Sequence, residues 1–90
     1  MATYIIGYDL HPSKGETYEE LIAAIKELGA WWHHLDSTWV VVCDKSAADI
    51  RDTLWAHMKS DDQLLVVKSS GVGAWKGFNT TGSQWLKDNL

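Results

Sequence analysis

The sequence predicts an α+β domain whose strands and helices follow in the order βαββαβ, with a short helix after the last strand. Apolar and β-branched residues form four short runs, and two stretches between them place apolar residues at helical spacing. Turn-forming residues separate these segments. Ninety residues make a single domain, 1–90. A chain of this size buries only about 60–65% of its unfolded surface, so self-association would add useful burial.

The first strand is predicted over Thr3–Asp9, a run of β-type residues that ends in a carboxylate. After a loop, Thr17 and Glu20 have the spacing of a capping box, which places the start of the first helix there. Gly29 is expected to end this helix. The residues that recur at helical spacing within it are Tyr18, Leu21, Ile22, Ile25 and Leu28.

A β-hairpin is predicted next. Ala30–Leu35 and Thr38–Asp44 are rich in aromatic and β-branched residues, which favour strands. Only Asp36 and Ser37 separate the two runs, and both residue types are common in turns. The two runs therefore indicate the second and third strands.

The second helix is expected to follow Ser46, which can cap it, and its apolar residues continue at helical spacing to Met58. Asp49 adds negative charge at the positive end of the helix dipole. A turn over Ser60–Asp62 then leads into the fourth strand, Gln63–Ser69.

The last segment, 70–90, is predicted to form a loop and then a short helix from Ser83 to Leu90. Thr81 and Gln84 have the spacing of a second capping box at the start of this helix. The segment is long enough to reach across a neighbouring chain.

The order βαββαβ is that of the ferredoxin-like arrangement, a four-stranded antiparallel sheet with two helices on one face. The third and fourth strands are apolar on both parities, whereas a sheet with one wet face is polar on one parity. Either a second copy of the chain or the segment 70–90 must therefore cover the second face. We expect a homodimer built on the open sheet face or on the last strand.

The composition restricts the classes of partner. The formal net charge is −4, and Arg51 is the only arginine. Tight binding of nucleic acid usually draws on clustered basic residues, so the sequence favours at most a weak or local nucleic-acid contact. The single cysteine, Cys43, cannot form an intramolecular disulfide, and no signal peptide or membrane span is recognisable. We expect a cytoplasmic protein without a membrane contact.

Asp9 is the first candidate for chemistry. A carboxylate at the end of a strand is held rigidly, and it could bind Mg²⁺ or Mn²⁺ with waters and phosphate oxygens completing the shell. A two-fold dimer could bring two copies of Asp9 together. The alternative is that Asp9 caps the following loop. His11 could act as a general acid or orient a phosphate, and its alternative role is that of an exposed loop histidine.

Other polar and aromatic residues have weaker patterns. His34 and Asp36 could lie on one side of a strand and share a transition metal, but no third ligand has a recognisable spacing. Hydrogen bonding near the hairpin or a dimer rim is the favoured role of His33 and His34. The glycines at 71 and 73 are not followed by the Lys-Ser or Lys-Thr of a phosphate loop, so no organic cofactor is expected. Packing rather than base stacking is the favoured role of the tryptophans Trp32, Trp39, Trp55, Trp75 and Trp85.

Two stretches carry a family resemblance. With Ile5–Asp9 opening a βαββαβ chain and Asp62–Lys68 as its last strand, the sequence resembles the CRISPR-associated Cas-two nucleases and their VapD-like relatives, over about residues 3–69. The resemblance implies a ferredoxin-like homodimer. It also implies that the acid ending the first strand takes part in metal-dependent cleavage of RNA or DNA, a role that it assigns to Asp9.

A second resemblance spans nearly the whole chain. The runs Tyr8–Leu10, Trp31–Trp39 and Gly82–Lys87 are similar to small bacterial proteins often labelled SinR family. That name belongs to a helix-turn-helix repressor, which needs consecutive helices and a basic surface that this sequence does not provide. Two hypotheses follow for the chain: a Cas-two-like homodimer that cleaves a phosphodiester with metal bound at Asp9, and an interaction or regulatory module on the same fold.

Overall fold

The computed structural model describes residues 1–90 as an α+β domain with a four-stranded antiparallel sheet and three helices. The strands are β1 (Ala2–Asp9), β2 (Ala30–Leu35), β3 (Thr38–Cys43) and β4 (Gln63–Lys68). The helices are α1 (Glu19–Glu27), α2 (Ala47–Trp55) and α3 (Thr80–Asn89). The strand order across the sheet is β2-β3-β1-β4, which makes β2 and β4 its two edges. None of the helices has the length and apolar character needed to cross a membrane.

The strands pair with different regularity. β1 pairs with β4 in one continuous register, from Tyr4 opposite Lys68 to Asp9 opposite Gln63. It also pairs with β3 without interruption. The pairing of β2 with β3 is broken by a bulge between Trp32 and Leu35. The β4 edge is therefore straight and regular, whereas the β2 edge is distorted.

The larger core lies between the sheet and the first two helices. Because side chains alternate along a strand, Tyr4 and Ile6 of β1 share a face with Trp39 and Val41 of β3. Helices α1 and α2 pack on this face, which we call the helix face. The nine buried residues of this core are Tyr4, Ile6, Leu21, Ile25, Trp39, Val41, Cys43, Ile50 and Leu54. Cys43 is a buried free thiol.

The opposite side of the sheet, the second face, is partly covered by α3. A smaller core of Trp32, Val40 and Leu86 forms there. Trp32 Nε1 donates to the Gly82 carbonyl oxygen at 3.1 Å. The C-terminal segment thus covers the β2 and β3 half of the second face within the same chain.

The start of α1 differs from the sequence prediction. The capping box of Thr17 and Glu20 is wrong: the helix begins at Glu19, its N-cap is Tyr18, and no side chain caps it. Tyr18 has φ 57°, a left-handed conformation that cannot be the first helical residue after a Thr17 cap. Its hydroxyl donates to both oxygens of the Asp62 carboxylate at 2.9 and 3.0 Å, and this contact fixes the turn.

The predicted start of α2 is confirmed, whereas the predicted start of α3 is wrong. Ser46 caps α2 as predicted, since its Oγ accepts from the Asp49 N–H at 3.1 Å. α3 begins at Thr80 rather than Ser83, and its cap is Asn79, whose Oδ1 accepts from the Gly82 N–H at 2.7 Å. The predicted box of Thr81 and Gln84 is therefore wrong, because Asn79 already satisfies the first turn.

Candidate functional site

Asp9 lies at the end of β1, directly opposite Gln63 of β4. Its position in the alternation places it on the second face with Ile5 and Gly7, and it is exposed. A shallow hollow of about 250 Å³ adjoins it. The residues around this hollow are Gly7, Tyr8, Asp9, Gln63, Leu64 and Leu65. The structure therefore presents the Asp9 carboxylate to solvent beside a side-chain amide.

The metal-binding capacity of this position is limited within one chain. Asp9 and Gln63 together offer one carboxylate and one amide oxygen. No three residues among the His, Cys, Asp and Glu of the chain lie close enough to hold a metal ion together. Mg²⁺ is commonly held by one or two carboxylates, with waters and phosphate oxygens completing its shell. The Asp9 and Gln63 pair fits part of such a shell.

The contacts of His11 lead to Asp62. The His11 N–H donates to Asp62 Oδ1 at 2.8 Å, and the ring Nδ1 lies 3.9 Å from the same oxygen. About half of the His11 side chain, 51%, is exposed. A protonated His11 would therefore be attracted to Asp62. A catalytic role of His11 together with Asp9 stays a prediction.

Asp62 is a buried carboxylate that the sequence showed only as a turn residue. It accepts hydrogen bonds from the N–H groups of Lys59 and His11, each at 2.8 Å, and from the Tyr18 hydroxyl. Burial alone would raise the pKa of Asp62, but these three donors outweigh it and hold that pKa below its ordinary value. Burial and the hydrogen bond to Asp62 raise the pKa of Tyr18.

The Lys59 side chain also contacts the loop that follows β1. Its Nζ lies 3.0 Å from Glu16 Oε1 and 3.2 Å from Ser13 Oγ, and it also donates to the His11 carbonyl oxygen. Two hydrogen bonds lower the pKa of Glu16: the one from the Ser13 N–H has the larger effect, and the one from Lys59 has the smaller. The hydrogen bond to Glu16 in turn raises the pKa of Lys59.

These contacts define a structural network, the Asp62 network, formed by His11, Ser13, Glu16, Tyr18, Lys59 and Asp62. It fastens the loop after β1 to the turn before β4. Both Asp62 oxygens are engaged by donors of the chain itself. We therefore assign the network to stability of the fold rather than to ligand binding. Asp62 thereby fixes the loop after β1. Capping of this loop is the alternative role that the sequence predicted for Asp9.

The paired histidines lie on opposite faces, as strand alternation requires. His33 stacks on Trp39 with ring centroids 3.7 Å apart, and its Nε2 lies 3.3 Å from the Asp36 carbonyl oxygen. His34 packs beside Trp32, at 5.0 Å between ring centroids. These contacts favour packing and hydrogen bonding over the transition-metal alternative.

The tryptophans mostly pack inside the fold. Trp32 and Trp39 are buried, and Trp75 and Trp85 pack against the core of the second face. Trp55 is the exception among those singled out from the sequence, since it lies 41% exposed at the end of α2. Packing is therefore their main role, and the exposed ring of Trp55 adds to the surface beside β4.

An apolar groove of about 530 Å³ lies between the second face and the segment that follows β4. Apolar side chains dominate its walls, among them Ile5, Leu35, Val40, Val67, Val72, Trp75, Phe78, Leu86 and Leu90. Val67 also belongs to β4, so the groove continues directly into the exposed edge of the sheet.

Comparison with known proteins adds no assignment to this geometry. No protein-family model matches the chain, and neither a curated protein nor a solved structure does.

Proposed function

We propose that the chain is a ferredoxin-like homodimer that works as a protein-interaction module. The strand order β2-β3-β1-β4, with α1 and α2 on one face, supports the ferredoxin-like assignment. The observation that carries the proposed function is the apolar surface around β4. Leu65 is 63% exposed and Val67 45%, both on the second face. Trp55 of α2, on the helix face beside the same edge, is 41% exposed.

An exposed apolar surface of this kind marks an interaction site in a small protein. The chain has covered one half of its second face with α3 and has left the β4 half open. A domain of this size buries a smaller fraction of its unfolded surface than a larger domain does, so burial of Leu65 and Val67 against another molecule would stabilise it. Both arguments point to protein contact at the same strand.

The charge of the chain supports a protein partner over nucleic acid. The net charge of −4 and the single arginine, Arg51, provide no dense basic surface for phosphates. A repressor that binds DNA directly would need such a surface. The proposed module is cytoplasmic. A single buried free thiol agrees with the reducing conditions of that compartment.

Light scattering of the purified chain tests this proposal. We expect the mass of a dimer at micromolar concentration and a shift toward the monomer on dilution. A monomer throughout the micromolar range would remove the homodimer, and with it the proposed module.

A second candidate function is metal-dependent cleavage of a phosphodiester. It is favoured by one observation: the Asp9 carboxylate is exposed at the end of β1, beside Gln63 and an open hollow. Bound Mg²⁺ or Mn²⁺ would supply an activated water and stabilise the developing charge. Asp9 and Gln63 would hold the ion.

Cleavage of labelled single-stranded RNA and duplex DNA distinguishes this candidate. Wild type, Asp9→Ala and the matched control Asp61→Ala would be compared with Mg²⁺, with Mn²⁺ and with chelator. Activity lost in Asp9→Ala and on chelation, but kept in Asp61→Ala, would assign catalysis to Asp9. Absence of wild-type cleavage on both substrates would leave the interaction module as the proposed function.

A further inference from the structure

We infer that β4 pairs antiparallel with β4 of a second copy across a two-fold axis at Leu65, which joins two four-stranded sheets into one of eight strands. This inference rests on the proposed homodimer and specifies its interface. Three independent features of β4 support it: its edge, its exposed side chains and the charges at its two ends.

The two edges of the sheet differ in their readiness to pair. An edge strand carries a row of unpaired N–H and C=O groups, and proteins usually protect it with bulges, proline or a covering segment. The β2 edge has such protection, since a bulge interrupts its register and α3 packs against it. β4 contains no proline, glycine or bulge over Gln63–Lys68. The β4 edge is therefore the one suited to accept another strand.

Symmetry then restricts the register. Residues directly opposite each other in an antiparallel pair lie on the same face, so a two-fold axis must pass through a residue rather than between two residues. An axis at Leu65 places Leu65 opposite its own copy. It also places Val67 opposite Gln63 of the partner subunit. The four most exposed apolar side chains of the two strands then lie next to one another, as cross-strand neighbours do.

The charges at the ends of β4 favour the same register and a second copy as the occupant. The strand follows Asp61 and Asp62 and ends at Lys68. Neither Asp61 nor Lys68 forms a salt bridge within its own chain. With the axis at Leu65, Lys68 lies opposite Asp62 of the partner subunit, whose buried carboxylate stays within its own network, and the neighbouring exposed carboxylate of the partner's Asp61 is the one that can attract Lys68. Symmetry repeats this attraction at the other end of the strand.

Shifts of the register lose this match. An axis at Val66 would place Lys68 opposite the apolar Leu64 of the partner subunit. An axis at Leu64 would place Lys68 opposite the partner's Ser60 and Asp61 opposite the partner's Val67. Charge complementarity and apolar contact therefore coincide only when the axis passes through Leu65.

The pairing also separates the two Asp9 residues. Each Asp9 lies one strand further from the axis, opposite Gln63. With strands about 4.8 Å apart and residues about 3.4 Å apart along a strand, the two Asp9 Cα atoms would lie roughly 20 Å from each other. Two metals in one site are about 4 Å apart. This dimer therefore leaves each Asp9 without a second carboxylate from its partner.

Disulfide trapping tests the register. Opposite residues of an antiparallel pair have Cα atoms about 4.5–5.5 Å apart, within the range of a disulfide. We expect Leu65→Cys to form an interchain disulfide under mild oxidation, visible as a dimer on a non-reducing gel. Val67→Cys should not link to itself, because its two copies would be about 14 Å apart along the strands. A mixture of Gln63→Cys and Val67→Cys should form the mixed dimer.

Leu35→Cys is the matched control, since Leu35 is an apolar residue of similar exposure, 47%, on the opposite edge of the sheet. Wild type controls for Cys43, which is buried. A dimer in light scattering whose Leu65→Cys chains link no faster than Leu35→Cys chains would overturn β4 pairing and leave the homodimer intact. A monomer in light scattering would overturn both. All substituted residues are exposed, so the variants should fold.

Discussion

The two faces of the sheet are covered to different degrees. On the helix face, α1 and α2 enclose nine buried residues, and Ile6, Leu21 and Ile25 have no exposed surface. On the second face, α3 encloses only three, and a groove of about 530 Å³ remains open beside them. We therefore expect the helix face to supply most of the stability, whereas the second face leaves apolar side chains exposed at β4.

The largest expected effect comes from truncation on the helix face. Ile25→Ala should lower the free energy of unfolding by about 3–4 kcal/mol, because it leaves a cavity in a fully enclosed core. Leu86→Ala is the matched change on the second face, where the groove lets neighbours and water adjust. Its loss should be smaller, about 2 kcal/mol. Urea denaturation followed by tryptophan fluorescence measures both values.

The order of the two losses decides whether the comparison holds. If Leu86→Ala lowers the free energy of unfolding as much as Ile25→Ala does, the two faces contribute equally to stability. The contrast between the two faces would then be wrong. Ile25→Val serves as the control for the helix face, with an expected loss of about 1 kcal/mol.

A smaller, pH-dependent effect is expected from the Asp62 network. The folded-state pKa of Asp62 is lowered, so the carboxylate stabilises the fold at pH above its unfolded-state pKa of about 3.9. This contribution is lost as the pH falls through the folded-state pKa. Wild-type stability should therefore decline steeply below about pH 4, and Asp62→Asn should flatten that decline.

Thermal unfolding from pH 7 to pH 2 measures this dependence. Asp44→Asn is the control, because Asp44 is exposed and belongs neither to the Asp62 network nor to the proposed dimer contact. An Asp62→Asn profile that follows the wild-type slope would show that other carboxylates govern acid unfolding. The comparison would also show how much stability comes from the loop network rather than from the two apolar faces.

The sequence predicted the sheet well because strand signals are local. Alternation and β-branched residues placed β2 at its observed ends and the other strands within about one residue of theirs. Those same patterns indicated apolar residues on both faces of β3 and β4. The regular spacing of Leu21 and Ile25 likewise identified the buried side of α1.

The sequence could not predict features that depend on distant contacts. The capping box at Thr17 failed because the Tyr18 hydroxyl binds Asp62, 44 residues away. The burial of Asp62 could not be read from a turn of Ser60-Asp61-Asp62, since its donors come from two separate loops. Asp9 was placed correctly at the end of β1, but its surroundings depend on which residues face it from β4.

The smallest expected effect on folding, and the sharpest test of the second face, comes from Leu65→Lys. The side chain is exposed in the single chain, so the free energy of unfolding of the monomer should change by less than about 0.5 kcal/mol. A charge at the proposed axis would lie opposite its own copy and should abolish the dimer. The thermal midpoint of wild type should rise with protein concentration, as expected for a dimer, while that of Leu65→Lys should not. Leu35→Lys, on the β2 edge, should keep the concentration dependence. A dimer that survives in Leu65→Lys would show that the open half of the second face serves some other contact.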